Sequence, residues 1–218
     1  MTGGAGTVFE PAEFQQATNV SRETLDRLKL FVTLLEDWNA RHNLVSAASL
    51  GDVWRRHIWD SAQLLELVPA DAGSMVDLGS GAGFPGLILA LLLRDRPGFR
   101  AVLYEATRKK ADFLAAAAGR LGIQADIRNA RIEAAAVEAF DLVTARACAP
   151  LPRLLLYAQA FQGERTVNLF LKGQSVGSEL TEAHKIWRMR VQERPSRSDP
   201  SGIVLVIEQL QPKAGRRA

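Results

Sequence analysis

An aspartate and three alternating glycines, Asp77-Leu78-Gly79-Ser80-Gly81-Ala82-Gly83, form the stretch of this chain best suited to hold a charged ligand. Met75 to Leu78 reads as a short buried strand that runs straight into the glycines, and Phe84-Pro85-Gly86 leads out into a helix. Glycine permits positive φ and lets a ligand approach with no Cβ in the way. Pro85 suits a first helical turn, where its missing N–H costs nothing. Two frames fit the segment. Gly81-Ala82-Gly83-Phe84-Pro85-Gly86 has the G-x-G-x-x-G spacing that seats a pyrophosphate on a helix N-terminus. Asp77 to Gly83 instead sets a carboxylate beside the turn, where a cation would be welcome.

The carboxylate decides between the frames. It opposes a pyrophosphate but suits the sulfonium and ammonium groups of S-adenosylmethionine, and Asp-x-Gly-x-Gly-x-Gly is the shape of the class I methyltransferase loop. Asp77, Gly79, Gly81 and Gly83 are therefore the first expected cofactor-binding residues. Glu105 ends the next strand, just over twenty residues on, where an acidic side chain can accept from both ribose hydroxyls. Nicotinamide dinucleotides also carry that ribose, so Glu105 supports nucleoside binding without choosing between cofactors.

The strand Leu142 to Ala145 continues into Arg146-Ala147-Cys148-Ala149-Pro150, and its carboxyl end faces the same crevice as the glycine loop. Here absences are informative. There is no Asn-Pro-Pro-aromatic motif of the kind used to methylate the exocyclic amine of adenine. Nor does a Pro-Cys pair supply a nucleophile for cytosine carbon-5, and Cys148 reads as a small buried residue. What remains is an acceptor needing neither base nor covalent nucleophile, such as guanine N7, for which positioning is most of the catalysis. Arg146 and Lys172 are the candidates for holding the base or its phosphates, with any arginine contact on O6 or the backbone, because a donor on N7 would block attack.

The elements that must carry these residues follow from periodicity. Residues 1 to about 20 read as a loose lead-in. Ser21 and Thr24 offer capping chemistry, and Leu25, Leu28, Phe31, Val32, Leu35 and Trp38 recur at helical spacing before a break at Asn39 to Ala47. A second helical stretch runs from Val53 to Val68. Beyond Ala70 to Ser74, strands are expected at 75–78, 101–104, 125–128, 142–145, 167–171, 189–193 and 203–208. Helices are expected at 87–93, 108–121, near 151–160 and near 179–187. Alternation of this kind argues for βαβ units on a mostly parallel sheet, with the last two strands as an antiparallel hairpin at one edge. Two regions are predicted: a helical region over 1–70 and an α/β domain over 71–218.

Bulk properties exclude several classes. The 218 residues carry 27 Lys and Arg against 24 Asp and Glu, with a pI near 9.3; so small an excess does not by itself mark a nucleic-acid binder. Basic residues gather at Arg55 and Arg56, Arg108 to Lys110, Arg188 to Arg197 and Lys213 to Arg217. The longest apolar run, Leu87 to Leu93, is too short for a bilayer. Met1 to Glu10 lacks a signal-peptide pattern, and one cysteine suits a reducing compartment, so a cytoplasmic location is expected. No conspicuous interface stripe is present, and a monomer is expected.

The motifs together resemble the small-subunit ribosomal RNA methyltransferase G family, also called glucose-inhibited division protein B. The resemblance spans about Leu25 to Trp187. It rests on Trp38-Asn39 with Asn43-Leu44, Arg56-His57-Ile58 with Asp60-Ser61, and the loop Asp77 to Gly86. It continues through Lys109 and Lys110 before Phe113-Leu114, Arg131-Ile132-Glu133, Thr144-Ala145-Arg146-Ala147, and Leu171-Lys172-Gly173. The resemblance implies a class I, Rossmann-like methyltransferase fold with a seven-stranded sheet, S-adenosylmethionine as cofactor, and small-subunit rRNA as partner. It implies N7-methylation of a guanosine in the decoding-region loop. It also implies cofactor contacts from Gly79, Phe84, Ile132, Glu133 and Arg146, with Ile132 and Glu133 beside the adenine. Glu105 stands where many relatives have Asp, and the region after Trp187 resembles the family only loosely.

In the helical region His42, Arg55, Arg56, His57 and Asp60 form a polar set. His57 and Asp60 lie three apart and could pair, which reads as polar groups fixing the helical cap onto the sheet. No third ligand stands at a spacing suited to a metal. Trp38 and Trp54 read as core. Three other functions stay open on sequence alone: a nicotinamide-dependent oxidoreductase, a binding or scaffold module on the same fold, and a small-molecule methyltransferase.

Overall fold

The structure is a computed structural model and describes residues 9–213. Helices α1 (Pro11–Thr18), α2 (Arg22–His42) and α3 (Ala47–Leu50) come first. A π-helical segment (Trp54–Trp59), one turn of α4 (Asp60–Ala62) and a 3-10 turn (Gln63–Leu67) follow. The α/β part then runs β1 (Ser74–Leu78), α5 (Gly86–Leu92), β2 (Arg100–Tyr104), α6 (Arg108–Leu121), β3 (Ala125–Arg128) and β4 (Phe140–Arg146). It closes with α7 (Leu151–Ala158), β5 (Gln162–Lys172), α8 (Val176–Ile186), β6 (Trp187–Pro195) and β7 (Ile203–Pro212).

The seven strands form one sheet in the order β3-β2-β1-β4-β5-β7-β6. The first five run parallel, whereas β7 is antiparallel to both β5 and β6. The predicted strands are all present, and the hairpin at one edge is the β6–β7 pair. The last strand, β7, lies inside it, between β5 and β6.

Alternation along β1 sorts its residues between two apolar layers. Met75 faces the layer built with α2, α5, α6 and the N-terminal helices; Val76 and Leu78 face the layer built with α7 and α8. Helix α2 starts at Ser21, whose side chain accepts from the Thr24 amide, and ends at left-handed Asn43. Its stripe of Leu25, Leu28, Phe31, Val32 and Leu35 is buried on that first layer, and both Trp54 and Trp38 pack with it.

Four expectations about the helical elements need correction. The supposed lead-in contains α1, which Pro11 starts and a reciprocal Glu10–Glu13 capping box secures. Phe14 is buried against Trp54, and Phe9 stacks on Trp59 at 4.4 Å. The break placed at Asn39 begins only at Asn43, because Asn39 stays helical and its Oδ1 accepts from the Val45 amide at 2.9 Å. The stretch 53–68 changes helical type twice instead of forming one α-helix. Pro85 caps α5 from outside instead of lying in its first turn. Among the described residues no helix is long and apolar enough to cross a membrane.

Candidate functional site

The glycine loop sits at the carboxyl end of β1, between the ends of β2 and β4. Gly79, Gly81 and Gly83 all take positive φ, at 71°, 58° and 93°. At Gly79 a side chain is excluded twice, since a Cβ there would also stand 2.9 Å from Cys148 Sγ. Cys148 is thus packed on the loop but half-buried, where a small buried residue was expected. Burial, with the nearby carboxylates of Asp77 and Glu105, lifts its thiol pKa to about 11, which keeps it un-ionised and a poor nucleophile.

Asp77 is fully buried, and the strand's alternation turns its side chain beneath the loop, toward α5. Its Oδ1 accepts from Thr144 Oγ1 at 2.6 Å, while Oδ2 lies against Gly86 with no hydrogen bond of ordinary geometry. Gly86 can be nothing larger, since a Cβ there would fall 2.5 Å from that oxygen. Burial raises the Asp77 pKa to about 6, against the opposing effects of Ser80, Thr144, Gly86 and Arg146. The carboxylate expected to meet a cation directly lies under the turn instead, in a medium that screens charge little.

Glu105 holds the loop from the β2 side. Its Oε2 accepts the Gly81 amide at 2.9 Å and Oε1 the Thr107 amide at 2.6 Å. Each carboxylate oxygen has a second lone pair to offer a ribose hydroxyl. Ile132 and Glu133 lie on a 3-10 turn after β3; Ile132 is half-buried, and exposed Glu133 accepts from Tyr157 Oη at 2.8 Å and Arg153 Nη2 at 3.3 Å.

Phe84 joins this loop to the helical region. Its ring is buried, stacks on His57 at 4.6 Å and meets Phe31 edge-on at 5.5 Å. The Arg146 guanidinium lies 4.9 Å over the same ring. Arg146 ends β4 and donates to the Arg56 carbonyl at 3.0 Å and to Asp60 Oδ2 at 3.4 Å. Burial lowers the Arg146 pKa, and the Asp60 charge opposes that.

Asp60 belongs to Arg146 and not to His57, contrary to the pairing expected. Besides Arg146, Asp60 Oδ1 accepts from Ser198 Oγ at 2.6 Å and Gln63 Nε2 at 3.0 Å. Burial raises its pKa; the Ser198 bond and Arg146 pull it down. Gln63 also binds Ser196 Oγ, and its Oε1 accepts the Arg197 amide at 2.8 Å. In this way the turn between β6 and β7 is tied to the helical cap. No sequence signal pointed to Gln63, Ser196 or Ser198, because the bonds that join the cap to the β6–β7 turn span more than a hundred residues.

These walls enclose a cavity of about 540 Å³, lined by the π-helical segment, Arg146 and Ala147, Lys172 and Gly173, and the β6–β7 turn. That volume is in the range of small-ligand sites. Lys172 reaches it as half of a tight ion pair with Glu179, at 2.6 Å, and also donates to the Ala149 carbonyl at 3.1 Å. Glu179 accepts the Leu151 amide at 2.6 Å as well. Burial works against its carboxylate, yet the Lys172, Ser175 and Leu151 hydrogen bonds outweigh it and hold the pKa below the usual range. Lys172 and Glu179 together pin the β4–α7 loop, in which Ala147 takes φ 49°. Arg190 and Arg197 of the C-terminal basic run pair with Glu208 and Glu66, and most of the tail cluster Lys213 to Arg217 lies outside the described residues.

A parallel sheet with one antiparallel strand inserted near its edge, and a glycine loop pinned by acidic residues at the ends of β1 and β2, defines a class I S-adenosylmethionine-dependent methyltransferase fold. Solved structures agree on the fold. A putative O-methyltransferase from Klebsiella pneumoniae superimposes with a TM-score of 0.58 at 13% identity, over 90% of this chain and 94% of that one. An O-methyltransferase from Bacillus cereus in complex with SAH gives 0.56 at 15%, over 90% and 96%.

Sequence comparison is more specific. The family model for rRNA small subunit methyltransferase G matches residues 24–198. The ribosomal RNA small subunit methyltransferase G of Parvibaculum lavamentivorans is 48% identical over 212 residues, 96% of this chain and 94% of the relative. That of Rhodospirillum centenum is 46% identical, over 94% and 93%. The chain belongs to the rRNA small subunit methyltransferase G family, and the nicotinamide reading of the glycine loop is set aside.

Proposed function

We propose that this protein transfers a methyl group from S-adenosylmethionine to N7 of a guanosine in the decoding-region loop of 16S rRNA. The observation that carries the reading is a shared wall: Arg146 packs on Phe84 of the cofactor loop and also lines the cavity beside it. A donor in the loop and an acceptor in the cavity would then face each other across one side chain. The residues present suit the cofactor. The loop glycines leave its turn clear of side chains, Glu105 would hold the ribose, Ile132 and Glu133 the adenine edge, and buried Asp77 would favour the cationic end.

S-adenosylmethionine, when bound, supplies an electrophilic methyl carbon on a sulfonium. The chain's part is to place the purine in line and to keep water out, which can account for most of the acceleration when no proton must move. His57 fits that scheme. Burial, then Arg146 and Arg56, lower its pKa to about 3, so it stays neutral and is a poor base. We assign Arg146 to the guanine O6 or the backbone. We assign Lys172 to holding the β4–α7 loop against the acceptor, its ammonium being committed to Glu179 and Ala149. Residues 1–70 serve as a region packed on a 71–218 methyltransferase domain, and the protein acts as a cytoplasmic monomer.

The test is methyl transfer from labelled S-adenosylmethionine into small-subunit rRNA from cells lacking the protein, with the modified nucleotide mapped. We expect label at one guanosine, in the chemical form cleaved by reagents specific for 7-methylguanosine. Label in a small metabolite and none in RNA would overturn the assignment.

A further inference from the structure

Five buried side-chain polar atoms among the described residues lack a hydrogen-bond partner, and three of them belong to Asp52 and His57. Both residues line the 540 Å³ cavity. Asp52 Oδ1 is an orphan although Oδ2 stands 3.8 Å from Arg55 Nε. His57 is 7% exposed, and neither ring nitrogen has a partner. Buried polar groups are nearly always satisfied in folded proteins, so orphans gathered on one cavity wall point to a ligand that completes them. The backbone says the same. His57 lies within the π-helical segment Trp54–Trp59, which starts two residues after Asp52 and is a rare conformation frequent at functional sites.

The missing partner has definable chemistry. The orphan carboxylate oxygen of Asp52 is an acceptor, and a neutral His57 offers one N–H donor. Along its Watson–Crick edge guanine presents two donors, N1–H and the N2 amino group, beside one acceptor, O6. Adenine reverses the six-position and lacks the amino group at C2. N7 lies on the adjoining Hoogsteen edge, next to O6 but away from N1 and the N2 amino group. Enzymes that act on an extruded base commonly read that edge by hydrogen bonds while a flat side chain stacks nearby.

We propose that Asp52 and His57 read the Watson–Crick edge of the acceptor guanine, Asp52 Oδ1 accepting from the N2 amino group and His57 donating to O6, so that N7 is left free toward the methyl donor. This rests on the functional reading above and adds to it a base-selecting pair on the helical cap. His57 stays in register because its ring lies flat against Phe84, 16° from parallel.

The experiment uses the full-length protein and small subunits reconstituted with 16S rRNA carrying either guanosine or inosine at the mapped target. Inosine differs only in lacking the N2 amino group. With the parent protein we expect inosine to raise KM roughly tenfold or more. In Asp52→Ala the guanosine substrate should suffer a similar loss, and inosine should cost nothing further, since the two deletions remove one contact. His57→Phe keeps the flat ring on Phe84 and deletes both nitrogens. It should melt roughly 2–4 °C higher, through relief of buried orphans, bind S-adenosylhomocysteine as the parent does, and lose transfer tenfold or more. A parent indifferent to inosine, an inosine penalty that survives unchanged in Asp52→Ala, or His57→Phe transferring at the parental rate would each overturn the pair's role. No transfer to any guanosine by the parent would overturn the functional reading, and this inference with it.

Discussion

The glycine loop and the cavity beside it are neighbours built on opposite principles. The loop is a local device: twelve consecutive residues, Met75 to Gly86, whose shape is fixed by strand pairing, positive φ and two buried carboxylates. The cavity wall is assembled from residues near 52–60, 146–147, 172–179 and 196–203, joined by side-chain hydrogen bonds. A local device has little freedom to change without losing the cofactor. A wall built from four segments can alter one of them and so retune its ligand while the donor site stays intact.

The sharpest way to break this contrast is Gly86→Ala. A methyl group 2.5 Å from Asp77 Oδ2 and 2.6 Å from its Cβ must displace the loop. We expect S-adenosylhomocysteine binding to fall about a hundredfold or more by calorimetry, with about 3 kcal/mol of stability lost. Parental binding would show that the loop yields more easily than its geometry implies.

Next comes the Asp77 charge. A carboxyl whose pKa rises on folding from 3.8 to about 6 contributes stability that is full below pH 3.8 and is lost as pH climbs through about 6. Asp77→Asn removes that dependence. Thermal melts should show it more stable than the parent by about 2–3 kcal/mol at pH 8 and little changed at pH 4. If the charge acts on the sulfonium from beneath the turn, this variant should also lose more affinity for S-adenosylmethionine than for uncharged S-adenosylhomocysteine. Equal losses would show that Asp77 serves only the loop's shape.

On the cavity side, Gln63→Ala unties the β6–β7 turn. The expected cost is about 1–2 kcal/mol in denaturant unfolding, with the KM for rRNA raised several-fold and cofactor affinity unaltered. A matching drop in cofactor affinity would mean the two regions are one unit. The smallest effect belongs to Arg197→Ala, which removes a bidentate pair to Glu66 whose side chains are 53% and 61% exposed. Below about 1 kcal/mol is expected, shrinking further in high salt.

Legibility followed the same division. The loop, the alternation of strands and helices, and the terminal hairpin could all be read because each is governed by neighbours in sequence. Asp77 was found for its charge, but its position under the turn was missed, although strand alternation from Met75 and Val76 already assigns it to the α5 face. Helix α1 was overlooked because eight residues hold little periodicity, and its stability comes from Phe14 against Trp54. His57 and Asp60 were noticed as a pair three apart, yet the π-helical turn and Arg146 separate their roles. Nothing nearby in sequence marks the link between Gln63 and the β6–β7 turn, whose bonds cross more than 130 residues.

The position of β7 inside the hairpin also sets an order of events. Strand β6 has no neighbour in the sheet except β7, so it cannot dock until the strand made after it has paired with β5. The turn that closes one side of the 540 Å³ cavity hangs between the two. A nascent chain can thus shape its glycine loop early, but the cavity beside it stays open on one side until the final strand slots into place.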